Sequence, residues 1–434
     1  MRLSSLIANA SPVAGIIISV ALMLFSGFAM TRLTKLARLP NVTGYILAGI
    51  LIGPYVLNLV PQRIIDGTDF LSDIALAFIA FSTGEFFKLP VLKKSGMKVV
   101  WITVFEAVLA SVFIFILTYF ILRLDLAFSI VLAALASATA PASTMMTIRQ
   151  TGAKGDFVDT LLQVVALDDV VGLVLYSIAI SIALASLSGV SGFSFETLGN
   201  PVLLNLLVLL LGSIFGLFMK LLMPQKRSKD NKLIISVALL FAFCGVCALL
   251  DLSPLLGCMV MGTVYTNIAD DDKLFKQLNY FSPPLLLLFF VRSGMSFRLD
   301  ALVSASGDLG GVPLLVIGVG YFFVRILGKY AGAWLGCRLV KKDRLGRNYL
   351  GLALIPQAGV AIGLAALGAR TLGGTMGSDL QTIILASSVL YELIGPGCAK
   401  LALYLSRSYS TKLEDVAVVA EVTETGEQKS DVQL

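Results

Sequence analysis

The sequence predicts an all-α polytopic membrane protein of about thirteen transmembrane helices. These form an inverted repeat with two broken helices, spans 5 and 12, an outside N-terminus and a cytoplasmic C-terminus. Three observations carry the prediction. The 434-residue chain is 57% hydrophobic and only 14% charged, with mean hydropathy +0.90, whereas soluble domains carry about 25% charged residues. Its basic residues gather in every second loop. Two apolar spans of equal rank in the two halves are interrupted by proline.

A spanning helix needs about 20 mostly apolar residues. Such segments centre near Ser19, Ile50, Phe78, Ala110, Ala138, Asp169, Leu211, Ala242, Met261, Leu287, Leu327, Val360 and Ser388. The first resembles a signal peptide, but its apolar run is long enough to span and no clear cleavage site follows, so it is read as a span. One set of loops holds Arg32 to Arg38, Lys88 to Lys98, Arg149 and Lys154, Lys226 to Lys232, Lys273 and Lys276, and Arg338 to Arg347. The alternate set holds only Arg63, Arg123, Arg298 and Arg370. The positive-inside rule makes the first set cytoplasmic. Spans 1–6 then begin outside and spans 8–13 inside, so the halves are inverted, as in many secondary transporters. Span 5 reads VLAALASATAPASTMMTI around Pro141, and span 12 reads YLGLALIPQAGVAIGLAALG around Pro356. Paired interruptions at corresponding positions point to a transporter binding site. Residues 409–434 are polar and mostly acidic, and read as a disordered cytoplasmic tail.

Composition also narrows the chemistry. The net charge of +6 follows topology and gives no nucleic-acid signal. The five cysteines lie in or beside apolar segments and read as small buried hydrophobes, the CGVC of Cys244 and Cys247 included. There is no histidine, so proton chemistry falls to carboxylates and amines.

Asp168 and Asp169 stand in the middle of FVDTLLQVVALDDVVGLVLYSIAISIALASL. Each costs roughly 2.5–3.5 kcal/mol at a helix centre in a bilayer, so the pair reads as a functional site. Successive helical residues point about 100° apart, so the two face different partners. Lys329, near the middle of span 11, is the expected partner of Asp168, with Arg325 one turn before it. Thr139, Ser143, Thr144 and carbonyls freed by Pro141 are candidate oxygen ligands beside Asp169, of the kind hard cations take. Pro356 and Gln357 mark the matching break. A cation and protons competing for these carboxylates suffice for antiport if the site faces each side in turn. The other intramembrane charges read as structural. Glu106 and Glu85 lie near interfaces or pair internally, Arg292 snorkels or pairs with Glu106 or Glu85, and Glu392, at the repeat position of the aspartate pair, braces the broken helices. A sodium-coupled symporter would need more polar residues than Gln163 and Gln357. A channel would not need Lys329 opposite the carboxylates, and an enzyme would want a histidine or metal cluster.

GYILAGILIGP (Gly44–Pro54), ATAPAST (Ala138–Thr144), ALDDVVG (Ala166–Gly172), the Lys329 of RILGK and PQAGVAIGLA (Pro356–Ala365) together resemble the monovalent cation:proton antiporters. Within them the two-aspartate branch, of NhaA/NapA type, is most similar. The likeness runs to about residue 406. It implies a thirteen-helix inverted-repeat fold in which broken helices 5 and 12 cross, and a homodimer. It implies a transmembrane domain over 1–408, with a core of spans 4–6 and 11–13 moving elevator-like against a dimerisation part of spans 1–3 and 7–10. It further implies Asp169 as the essential cation ligand, with Asp168 marking electrogenic exchange of two protons per sodium. Lys329 is implied as its ion-pair partner and a possible proton carrier. No cofactor is implied beyond the transported Na+ and H+, and the location implied is a prokaryotic inner membrane. Many relatives have an acid after the span 5 threonine, where this chain has Ala140, so ligation there falls to Thr139 and main-chain carbonyls. Relatives that move potassium often carry a large cytoplasmic nucleotide-binding domain. None is seen here, which favours sodium, with lithium as surrogate, over K+/H+ exchange.

Overall fold

The computed structural model describes residues 11–36, 41–90, 96–187, 195–224, 227–250, 252–269, 273–298 and 311–409. Apart from Tyr409, the expected tail lies outside them. Among the described residues the chain is helical, with no strand. In lipid every backbone N–H and C=O must be satisfied within its own segment, which an apolar chain achieves as helix.

In chain order the helices are α1 (Pro12–Leu36), α2 (Asn41–Ile52), α3 (Gln62–Gly67), α4 (Phe70–Thr83), α5 (Met97–Phe115), α6 (Leu126–Leu135), α7 (Pro141–Thr151), α8 (Asp156–Leu187), α9 (Phe195–Leu222), α10 (Lys229–Leu249), α11 (Leu255–Ile268), α12 (Lys273–Phe281), α13 (Pro283–Met295), α14 (Leu314–Leu339), α15 (Arg344–Ala353), α16 (Gly359–Leu372) and α17 (Gly374–Leu405). Seven are long and apolar enough to cross a membrane, and the α12–α13 pair, bent by 48°, makes an eighth. Five more apolar helices (α2, α4, α6, α11 and α16) have only 10–17 residues. Every expected span centre falls on one of these helices except Ala138, which lies between α6 and α7. Apolar side chains face outward along them, Phe25 at 72%, Leu221 at 75% and Leu249 at 86% exposure among them. Patches this extensive mark a membrane interface rather than water.

Both proline spans are broken. α6 starts at Asp125, whose carboxylate accepts from the Ala127 and Phe128 amides. It stops at Leu135, and α7 begins at Pro141 after Ala140 in extended conformation (φ −85°, ψ 107°). Proline's ring crowds the preceding residue out of helical geometry, which accounts for the extended Ala140. α15 likewise ends at Ala353, and α16 resumes at Gly359, past Pro356.

The helices pack in two groups. One joins α5, α6, α7, α8, α14, α15, α16 and α17; the other joins α1, α2, α4, α9, α10, α11, α12 and α13. Within the first, α14 lies against α5 along Gly328, Gly332 and Gly336. A Cβ on these would fall 2.7 Å from Ala110 Cα, 2.5 Å from Glu106 Cα and 2.8 Å from Ile102 Cα. Small residues let membrane helices approach backbone to backbone, and here the approach brings Lys329, one residue after Gly328, onto Glu106. Gly332→Val therefore meets backbone that cannot move aside. The expected loss is about 3 kcal/mol, read as a lowered melting temperature and aggregated elution in detergent. A variant that melts and elutes like the parent would refute the packing argument.

Candidate functional site

The two breaks meet near the middle of the first group. The Ala140 amide donates to the Pro356 carbonyl at 2.9 Å. Both α6 and α15 end here, so two helix C-termini, each with unsatisfied carbonyls and partial negative charge, point at one region. α14 supplies the cations that complement them. Arg325, fully buried, donates from Nε to the Ala136 carbonyl at 2.9 Å, from Nη1 to that of Ile355 at 2.8 Å, and from Nη2 to that of Ala138 at 2.6 Å. Its guanidinium also lies 4.6 Å from the centre of the Tyr391 ring. Gln357 adds a neutral tie across the same crossing, its Nε2 donating to the Leu135 carbonyl at 2.7 Å.

Lys329, one turn on, is also fully buried. Its ammonium donates to the Ser137 carbonyl, to Thr139 Oγ1 at 2.9 Å and to Asp168 Oδ2 at 2.9 Å. Glu106 Oε2 of α5 lies 2.7 Å from the same nitrogen. That makes four acceptors for an ammonium with three protons. Among the described residues neither Glu106 oxygen gains a hydrogen bond of good geometry, so Glu106 is held by charge.

Asp169 faces elsewhere, as the helical offset requires. It is 1% exposed, and neither of its carboxylate oxygens has a hydrogen-bond partner among the described residues. The Thr83 side chain at the end of α4 stands beside it, but that hydroxyl donates to the Ile79 carbonyl at 3.0 Å. A buried carboxylate without donors is costly.

Several expected placements need correction. Ser143 does not turn to Asp169: its hydroxyl donates to Glu392, 2.7 Å from Oε1 and 2.6 Å from Oε2. Glu392 of α17 thus braces α7. Thr144 reaches the Ala353 carbonyl at 3.5 Å, and Thr139 that of Leu354 at 3.4 Å. The carbonyls of Ala136, Ser137 and Ala138 each already accept one hydrogen bond, from Arg325 or Lys329. Arg292 pairs with neither Glu106 nor Glu85, and it does not snorkel. It is 7% exposed, pairs with Asp69 just ahead of α4, and donates to the Ile65 carbonyl at 3.2 Å. Glu85 sits on the short turn Gly84–Phe86 that follows α4.

A sodium/hydrogen exchanger transmembrane family model matches residues 18–401. The chain belongs to that family of antiporters. Over 281 residues it is 26% identical to the iron transporter MagA of Paramagnetospirillum magneticum, covering 64% of this chain and 62% of that protein. The chain thus spans about three fifths of the length of that curated relative. The fold is similar to that of the sodium proton antiporter MjNhaP1 of Methanocaldococcus jannaschii. One solved structure matches with a TM-score of 0.69 and 20% identity over 90% of this chain and 99% of that one. A second, from electron microscopy, matches with a TM-score of 0.69 and 18% identity over 91% and 99%. Family and apolar helices together make this exchanger-family chain a multi-pass membrane protein.

Thr83 and the carbonyl ties of Arg325 carry no signal of their own in the sequence. Thr83 ends the apolar run FIAFSTGE with nothing to set it apart from a helix-terminal threonine, and only the packing of α4 reveals its neighbour. Arg325 was visible as a charge in a span, but its partners are carbonyls, which sequence does not distinguish.

Proposed function

We propose that the chain is a secondary antiporter exchanging Na+, with Li+ as surrogate, for H+ by an elevator-like cycle, electrogenically, as a homodimer in a prokaryotic inner membrane. The observation that carries the reading is the donor-free, buried carboxylate of Asp169 beside the Lys329-tied Asp168, where two broken helices meet. Formal charge supports it. Around the aspartate pair stand three carboxylates, Asp168, Asp169 and Glu106, against two cations, Lys329 and Arg325, while Glu392 is taken up apart from them by the Ser143 hydroxyl. That arrangement lacks one positive charge, which a monovalent cation or a proton at Asp169 supplies, and electrogenic exchange adds a second proton, carried by the Asp168–Lys329 pair. Binding of either at Asp169 excludes the other, which is the coupling an antiporter requires. Asp169 is the principal ligand of the cation in this reading, with hydroxyls, carbonyls and water completing its shell.

The bent pair and the five shorter apolar helices, each taken as a span or as half of one, bring the seven long helices to thirteen spans. The two packing groups then correspond to a mobile core and a dimerisation part. Ala140 leaves that position of the crossing without a further acid.

The test uses proteoliposomes loaded with a pH dye and carrying a proton gradient. Na+ and Li+ added outside are expected to dissipate the gradient, faster when a membrane potential of the correct sign is imposed. K+ and Fe2+ serve as separate arms, the latter because one relative is named for iron. No response to Na+ or Li+ at any pH would overturn the reading, and a response to K+ alone would reassign the ion.

A further inference from the structure

At the end of the helices that charge distribution assigns to the outside, three arginine–aspartate pairs lie at or near a cavity of about 200 Å3 that Asp69, Arg292 and Arg370 help to line. Asp69, Ser72 and Arg292 line it from the second packing group; Ala369, Arg370 and Gln381 line it from the first. Two of the pairs cross between the groups. Arg370, in the last turn of α16, forms a two-pronged pair with Asp73 of α4, one prong at 3.0 Å. Arg298, just past α13, lies 3.9 Å from Asp379 of α17 and donates to Ser378 at 3.2 Å. The third pair, Arg292 with Asp69, stays within the second group and is fixed further by the Ile65 carbonyl and by Ser72 at 3.5 Å.

An arginine-lined cavity suggests an anion site, but the donors say otherwise. Both arginines that line it, Arg292 and Arg370, aim their nitrogens at aspartates, a carbonyl and a hydroxyl, and the three pairs balance in charge. What the cavity marks is a seam. The seam runs the length of α4. At its inner end Thr83 stands beside Asp169. Midway, α16 presses Gly363 against Leu76, where a Cβ would fall 2.8 Å from Leu76 Cγ. At the outer end Asp73 meets Arg370. Ten residues separate Thr83 from Asp73, about 15 Å of helix. The crossing pairs therefore close the seam between the proposed cation site and the outside.

We infer that Arg370–Asp73 and Arg298–Asp379 form an ionic latch between the two packing groups. It holds the outer route to Asp169 shut in the conformation seen here, and it parts each time the site opens outward. The inference rests on the alternating-access reading above. A partly exposed ion pair shifts a two-state equilibrium by ~2- to 5-fold, enough to bias the cycle without freezing it.

The test places Asp73→Cys and Arg370→Cys in a chain whose five native cysteines are replaced by serine or alanine, reconstituted in proteoliposomes. The reduced protein is expected to exchange ions, and bridging the two thiols with a cleavable bis-thiosulfonate should stop exchange until a reductant releases it. Undiminished exchange by fully bridged protein overturns the latch while leaving the antiport reading intact. Absence of exchange in the parent protein would overturn the antiport reading instead. A second measurement does not depend on bridging. Asp73→Asn with Asp379→Asn is expected to raise labelling of Ala369→Cys by a membrane-impermeant maleimide from outside by ~2- to 5-fold. The reversed pair, Asp73→Arg with Arg370→Asp, should lower it again relative to Asp73→Arg alone. Unchanged labelling in both would overturn the proposal.

Discussion

Asp169→Asn is expected to abolish cation–proton exchange while leaving the fold intact. The two halves of that expectation come from one observation, that the carboxylate is buried and accepts no hydrogen bond from the described residues. Asparagine has the same shape, so no hydrogen bond that holds α8 in place is lost, and replacing a buried charge by a neutral amide lowers the burial cost. The cation loses its only full counter-charge on that face of α8. A unit charge at about 4 Å in a medium of effective dielectric near 20 is worth about 4 kcal/mol, so affinity should fall about a thousandfold. The amide also cannot take up and release the proton that must alternate with the cation. Flux in proteoliposomes reads the first half, and the melting temperature in detergent reads the second. Normal exchange by Asp169→Asn would remove Asp169 from the mechanism. Lost exchange with a collapsed melting temperature would make its role structural.

What the sequence disclosed follows a physical boundary. A charge inside an apolar run is conspicuous because the bilayer makes it costly, so Asp168, Asp169 and Lys329 were legible one by one. The ion pair between Asp168 and Lys329, 2.9 Å long, followed from the need of each for a partner. A proline in mid-span is conspicuous because it cannot continue the hydrogen-bond ladder, so both breaks were legible too. Partners set by the packing of distant helices were not. Glu106 joins Lys329 because three glycines let α14 approach α5 closely, and those glycines read in sequence as ordinary membrane-helix glycines. Arg292 finds Asp69 across α4 and α13, although the carboxylates nearest in the hydropathy pattern were Glu85 and Glu106. Ser143 turns to Glu392 because α7 leans on α17, an arrangement that a list of spans does not contain. Helix lengths misled in a related way. A span of about 20 apolar residues need not be one helix, and α2, α4 and α11 are shorter than the runs that contain them.

The opposite outcome is expected one turn along α14, where the fold rather than the ion depends on a charge. Arg325→Ala leaves three carbonyls, those of Ala136, Ala138 and Ile355, without the donor that joins them. A buried acceptor stripped of its partner costs about 1–3 kcal/mol, and removing one member of a buried polar network costs about 3–5 kcal/mol in all. The melting temperature should drop by roughly 5–10 °C, with exchange lost as the breaks separate. Arg325→Lys is the informative companion. An ammonium is a single point with three donors on a flexible stem, whereas the guanidinium reaches carbonyls from both breaks with its planar fork and lies over the Tyr391 ring. Lysine should keep the charge and still lose most of the stability. A lysine variant with parental melting would show that charge alone holds the crossing together, and that the two helix C-termini meet there for electrostatic reasons only. Stability lost in both variants assigns Arg325 to tying the half-helices into one body, which is what an elevator-like core must be in order to carry Asp169 from one side to the other.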